Sequence, residues 1–272
     1  METFTAFDGT VLAYHAVGGV DPVLCVPGGP MQDSSYLDGL GSLRLDLRGT
    51  GDSAVPSDPA TFRCERQADD LEALRLHLGL DALALLAHSA GAAIAVHYAA
   101  RFPDRVARLT LVTPSPRAVG IEVTDDDRRA IAVQRRAEPW FPPAFAALER
   151  IWAGAPTDED WAAITPFVYG RWDDRIAAYA AEGERRTNRT AAAAYYSGDF
   201  LVGSGLDRVT APVLVVGGEL DIQLPPAHAA RYAALFPNSS LVVAPAAGHF
   251  PWLDDPDWFA ATVGVTLKGI RG

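Results

Sequence analysis

Three side chains of this sequence have the types and order needed to make an activated nucleophile. They are Ser89 in Ala87-His-Ser-Ala-Gly91, Asp221 in Gly217-Gly-Glu-Leu-Asp221, and His249 in Ala247-Gly-His249. A serine hydroxyl is a weak nucleophile at its own pKa. An imidazole must take its proton, and a carboxylate must fix the tautomer and orientation of that imidazole. Residues so far apart in sequence meet when each follows a strand of one sheet, and the chain order Ser, Asp, His is the one expected when the Ser sits on a sharp strand-to-helix turn. The pentapeptide is an imperfect Gly-x-Ser-x-Gly, with Ala87 where the first Gly is usual. Taken alone, these five residues also fit a Ser that merely caps a helix.

The elements that must position these residues are readable from apolar runs and their stops. Leu83 to Ala87 has strand length, and Ala90 to Arg101 is Ala-rich without internal Pro, which favours helix. Buried-strand runs recur at Pro22–Val26, Ser42–Asp46, Val106–Val112, Pro212–Val216 and Leu241–Ala244, with helix patterns at about 65–78, 227–236 and 255–267. Strand and helix alternate, so an α/β fold is expected: a mostly parallel central sheet with helices on both faces and function at the carboxyl ends of its strands. Residues 3–7 and 10–17 read as a leading hairpin with Asp8-Gly9 as a two-residue turn. From Thr113 to about Leu206 the alternation stops, and the segment is rich in Ala, Arg and aromatics, among them Trp140, Phe167, Tyr169 and Tyr179. The expected organisation is a core of 1–113 and 207–272 with a helical lid at 114–206. The lid's aromatics either line its underside or pack a small core of its own.

Composition narrows the function classes. The 272 residues carry a formal net charge of -11 and no basic cluster, which argues against a nucleic-acid or anionic-membrane partner. Cys25 and Cys64 make neither a disulfide framework nor a metal pattern, and Cys25 lies in an apolar run where a buried thiol is expected. No basic-then-apolar leader opens the chain and no apolar run approaches the length of a membrane span, so a cytoplasmic protein is expected. No His, Asp or Glu grouping has metal-ligand spacing. Gly49-Thr-Gly51 lacks the third Gly of a dinucleotide turn, so no metal and no cofactor are expected. His15, His77, His88, His97 and His228 have no partner pattern and read as structural or exposed, and Asp254 and Asp255 read as the start of the last helix. Thr113-Pro-Ser-Pro116 ends the strand after the nucleophile helix without a carboxylate, which leaves Asp221 as the acid.

The chain resembles the α/β-hydrolase superfamily, and within it the branch of proline iminopeptidases and small esterases, over about 1–113 and 207–272. Pro27-Gly-Gly-Pro30 is similar to that branch's His-Gly-Gly-Pro turn, and Asp46-Leu-Arg-Gly-Thr-Gly-Asp-Ser53 to its Asp-x-Arg-Gly-x-Gly-x-Ser turn. The resemblance implies an oxyanion hole made by the backbone N–H groups of Gly29 and Ala90, and a structural bracing role for Asp46, Arg48 and Ser53. It departs at Pro27, which lacks the His side chain and an N–H. The implied activity is hydrolysis of a small-molecule ester or amide through an acyl-enzyme on Ser89. The alternative is an aminopeptidase acting on N-terminal Pro or aminoacyl conjugates, whose lid carboxylate would come from Glu138, Glu149, Asp173, Glu182 or Glu184. A non-catalytic ligand binder on the same fold, and acyl transfer to an acceptor other than water, are the remaining readings.

Overall fold

Residues 1–16 and 22–264 are described by a computed structural model. Its strands are β1 (Glu2–Thr5), β2 (Val11–Ala16), β3 (Val23–Val26), β4 (Leu43–Leu45), β5 (Leu83–His88), β6 (Val106–Val112), β7 (Val213–Gly218) and β8 (Ser239–Ala244). They form one sheet in the order β1-β2-β4-β3-β5-β6-β7-β8. The β1-β2 and β2-β4 pairs are antiparallel, and every pair from β4 through β3 to β8 is parallel.

Successive residues of a strand point to opposite faces, and here both faces are apolar. Leu24, Val26, Leu85, Ala87, Leu109, Leu111, Val213 and Val215 share one core with α1 (Cys64–His77) and α2 (Gly91–Arg101). The alternate residues Cys25, Leu86, Val112 and Val216 join a second core with Leu37, Trp252 and Phe259. A parallel sheet needs this double cover, because its strands carry no polar face to turn to water. The central strand β5 is flanked on both sides, so its carboxyl end opens at the middle of the molecule.

Three local expectations change. Ala6 N–H donates to Thr10 O at 2.9 Å, which extends the β1-β2 ladder and leaves Phe7-Asp8-Gly9 as a three-residue loop with Gly9 at φ 86°. A left-handed Gly at the end of such a loop is the usual three-residue solution, so Asp-Gly fits both lengths. Strand β7 runs to Gly218, which pairs with Ala244. The last helix pattern splits into α9 (Pro251–Asp254) and α10 (Pro256–Val263), while its expected end at Leu267 lies outside the described residues. Asp255 does cap α10, accepting from Trp258 N–H at 3.0 Å, but Asp254 points elsewhere.

Between β6 and β7 the chain is helical: α3 (Asp125–Ala132), α4 (Phe141–Trp152), α5 (Asp158–Ala163), α6 (Asp174–Arg185) and α7 (Arg189–Tyr195), followed after β7 by α8 (Pro226–Ala233). Thr124 with Asp127, and Thr157 with Asp160, close reciprocal capping boxes that start α3 and α5. Phe167, Leu148, Ala144 and Ala132 make a small separate core against Trp140, Phe141, Phe145 and Trp152. Other aromatics of the segment face the main body: Tyr195 is buried in the core of β5 and α2, and Tyr169 packs in the core below α10.

Candidate active site

Ser89 occupies the joint between β5 and α2 with φ 51°, a left-handed backbone that a non-Gly residue adopts only under constraint. Small neighbours make the joint possible. A Cβ on Gly91 would come within 2.5 Å of the carbonyl oxygens of both Val26 and Pro27, and one on Gly28 within 2.9 Å of Ser89 Cβ. Ser89 N–H donates to Val112 O at 3.0 Å, and Ser89 O accepts from Ser115 N–H at 2.9 Å, so the joint is tied to the end of β6.

The structure brings the three expected side chains together. His249 Nε2 lies 2.7 Å from Ser89 Oγ, and His249 Nδ1 lies 2.8 Å from Asp221 Oδ2. A carboxylate only accepts, so Nδ1 carries the proton and Nε2 presents its lone pair to the serine hydroxyl. Asp221 is fully buried at 0% exposure, and its other oxygen accepts from Gln223 N–H at 2.8 Å. His249 is held at its backbone too. Its N–H donates to Val168 O at 2.7 Å, and its carbonyl accepts from Thr113 Oγ1 at 2.8 Å and from His88 Nε2 at 3.0 Å. Gly218 lets this loop lie on the strand end, since a Cβ there would meet Gly248 O at 2.1 Å.

The N–H groups of Gly29 and Ala90, the expected oxyanion donors, have no acceptor among the described residues. Ala90 precedes the first turn of α2, where the helix dipole favours negative charge. Gly28 N–H is engaged, donating to Tyr36 Oη at 2.7 Å, so of the Pro27-Gly28-Gly29 turn only Gly29 keeps a free donor. The cavity beside these groups measures about 250 Å³. Val168, Tyr169, Tyr179 and Phe250 make the apolar part of its lining, and Gln32 and Thr187 belong to the polar part.

Of the five carboxylates proposed to face the site, one does. Glu184 lines the cavity and pairs with Arg189 at 2.5 Å. Glu138 and Glu149 pair with Arg135 and Arg129, Glu182 with Arg185 and Arg186, and Asp173 caps α6. The Asp46 turn is a brace, as expected, with a partner that sequence did not name: Arg48 forks onto Asp70 with two contacts of 2.6 Å, while Ser53 Oγ donates to Asp46 O at 2.6 Å. Both cysteines are buried, and burial pushes their thiols up to about 12.

Several expectations about single residues are corrected. His15 and His228 have carboxylate partners, Asp46 at 2.9 Å and Asp127 at 3.4 Å. His15, Asp46 and Asp52 form a grouping of metal-ligand types that spacing did not reveal. Hydrogen bonds already use Asp46: Oδ1 accepts from Ser34 N–H and Oγ–H, and Oδ2 accepts from Asp52 N–H beside His15. Asp254 does not start a helix. Its Oδ2 accepts from Gly248 N–H at 2.8 Å and Gly170 N–H at 3.0 Å, clamping the His249 loop to the helical segment. Its carboxyl is pushed up by burial. Tyr36, His88 and Thr113 are the site residues that sequence missed. The one available signal was the departure at Pro27, which left the turn in need of another hydrogen-bonding side chain.

Comparison with known proteins places this geometry. A family model described as alpha/beta hydrolase fold matches residues 21–256. A proline iminopeptidase of Heyndrickxia coagulans is 24% identical, over 93% of this chain and 92% of its own. Among solved structures, a thermophilic esterase from Thermogutta terrifontis superposes with a TM-score of 0.67 at 26% identity, covering 97% of this chain and 96% of that one. A proline iminopeptidase of Mycobacterium smegmatis superposes with a TM-score of 0.70 at 23% identity, covering 96% and 95%. Among the described residues no helix is long and apolar enough to cross a membrane. With the sheet order and the family match in agreement, the chain belongs to the alpha/beta hydrolase fold family.

Proposed function

We propose that the protein is a serine hydrolase that cleaves a small carboxylic ester through an acyl-enzyme on Ser89. The observation that carries this reading is the continuous contact from Asp221 through His249 to Ser89, at 2.8 and 2.7 Å. His249 takes the Ser89 proton as the oxygen attacks the substrate carbonyl, and Asp221 stabilises the imidazolium that forms. The oxyanion develops toward the free N–H groups of Gly29 and Ala90, and removing one such donor typically costs about 10²–10³ in rate. His249 then protonates the leaving alcohol, and water, activated by the same imidazole, releases the acid. In this reading residues 114–206 form a cap over a core of 1–113 and 207–272.

An ester is favoured over an N-terminal aminoacyl substrate by the charges around the cavity. A substrate ammonium needs an unpaired carboxylate, and Glu184, the one carboxylate lining the cavity, is already paired with Arg189. The small cavity and its apolar wall suit a short acyl group. The relatives include both an esterase and proline iminopeptidases, so a panel setting aryl acetates and butyrates against prolyl and alanyl anilides separates the two readings. The expected outcome is faster turnover of the esters, labelling by a fluorophosphonate probe, and loss of both in Ser89→Ala by about 10⁴-fold or more. Retained turnover in Ser89→Ala, or no labelling of the wild type, would sink the proposal.

A further inference from the structure

Resting on that hydrolase reading, we propose that Tyr36 and His88 are positioning residues. They lock the turn that carries Gly29 to the loop that carries His249, so that the oxyanion donor and the general base are held in one frame. The geometry is a continuous hydrogen-bonded wire: Gly28 N–H to Tyr36 Oη at 2.7 Å, Tyr36 Oη to His88 Nδ1 at 2.9 Å, and His88 Nε2 to the His249 carbonyl at 3.0 Å. Its direction follows from one atom. A carbonyl oxygen only accepts, so His88 carries its proton on Nε2 and its Nδ1 can only accept. Tyr36 must then donate to Nδ1, which leaves its oxygen free to accept from Gly28 N–H. No member is unsatisfied, and none can be reversed alone.

Packing fixes the same connection. The His88 ring sits with centroids 4.8 Å from both Phe250 and Trp252 and 5.6 Å from Tyr36, so residues following the base wrap the residue preceding the nucleophile. Tyr36 belongs to the single helical turn Ser34–Leu37, which follows the Gly28-Gly29 turn in the chain. Burial, with the nearby His249, keeps the His88 imidazole neutral well below its usual range, so its donor and acceptor ends persist. The arrangement also accounts for Pro27. Two successive glycines make the turn soft, Pro27 offers it no hydrogen-bonding side chain, and the Tyr36 hydroxyl supplies the anchor. Because Gly28 N–H is taken, Gly29 N–H is the turn's remaining donor.

The test is Tyr36→Phe, which keeps the ring and removes the oxygen, with His88→Phe and the double variant alongside. Tyr36→Phe is expected to lower kcat by about 10-fold, with KM changed less than about twofold, as for an interaction made in the transition state. Affinity for a boronate that mimics the tetrahedral adduct should fall in the same ratio, while the melting temperature stays within a few degrees. The double variant should lose no more than the worse single one, since residues of one network are not additive. Wild-type kcat and boronate affinity in Tyr36→Phe would overturn the proposal, and so would a loss that matches a loss of folded protein. A readout independent of activity is the nitrogen NMR spectrum of histidine-labelled wild type. His88 should be the Nε2–H tautomer, and an Nδ1–H tautomer would overturn the wire even if the variants do not fold. A wild type that neither hydrolyses esters nor reacts with a fluorophosphonate would instead defeat the hydrolase reading, leaving the NMR result to judge the wire.

Discussion

The strand ends and the helical segment between β6 and β7 are built to different tolerances. At the strand ends, both ring nitrogens of His249, its N–H and its carbonyl all have partners, and Asp221 is 0% exposed. In the helical segment, the charged groups of α6 and its neighbours are surface pairs: the Glu184 and Arg189 side chains are 58% and 79% exposed, and those of Glu182 and Arg185 44% and 67%. Tyr179 lines the cavity, and its buried hydroxyl has no hydrogen-bond partner among the described residues. Exposed ion pairs contribute only about 0–1 kcal/mol each, whereas a buried charge or donor left without its partner costs several times more. The difference teaches where each task lies. In the proposed hydrolase, proton transfer tolerates one geometry and is tied down in the core, while substrate choice would fall to side chains that little else constrains.

The sharpest way to break this contrast is at the acid. Asp221→Asn keeps the shape but offers Nδ1 an amide, which stabilises the wrong tautomer, and the expected loss in kcat is about 10⁴-fold. A loss under 10-fold, measured on an activated aryl ester, would mean that the buried contact does not orient the base. Next in size is a pair of glycines. A Cβ on Gly91 meets two backbone oxygens at 2.5 Å, which cannot move aside as a side-chain tip could, while Gly203 in the helical segment has nothing within 4 Å. Gly91→Ala should therefore destabilise by about 1–3 kcal/mol, and Gly203→Ala should stay within about 0.5 kcal/mol of wild type. Urea unfolding of the two variants checks this, and similar costs would erase the contrast.

The same division decides what could be read from sequence. The buried strands were legible because both faces are covered, which makes them uninterrupted apolar runs with Gly or Pro at their stops, as in Pro22–Val26 followed by Pro27-Gly28. Ser89, Asp221 and His249 were legible as types because each follows such a run. Tyr36, Thr113 and Asp254 were not, because a hydrogen bond leaves no periodicity behind. His88 and His249 are 161 residues apart, and Thr113 reaches the same carbonyl across 136. The hairpin loop was misjudged for a different reason, since Asp8-Gly9 suits two loop lengths and only the pairing of Ala6 with Thr10 selects one. The five candidate carboxylates between β6 and β7 were indistinguishable in sequence because a helix turns one residue in or out every 100° or so, and only the packing of α6 puts Glu184 rather than Glu182 at the cavity.

Glu184 carries the smallest expected effect and the most information about the helical segment. Its carboxylate is exposed and already paired, so Glu184→Gln should change kcat/KM on neutral aryl esters by less than about threefold, in keeping with the small worth of surface pairs. A substrate ammonium would respond differently, because it would have to draw Glu184 away from Arg189 and would then depend on it. The check is the ratio of kcat/KM values for aryl esters and aminoacyl anilides in the two proteins, with Arg189→Gln as the complement that frees the carboxylate. Parallel, small changes in both substrate classes fit an esterase whose helical segment selects by size and apolar contact. A tenfold loss confined to the anilides in Glu184→Gln, with a gain in Arg189→Gln, would move the reading to an aminopeptidase. It would also show that a side chain on the exposed face can be as decisive for substrate as the buried histidine is for chemistry.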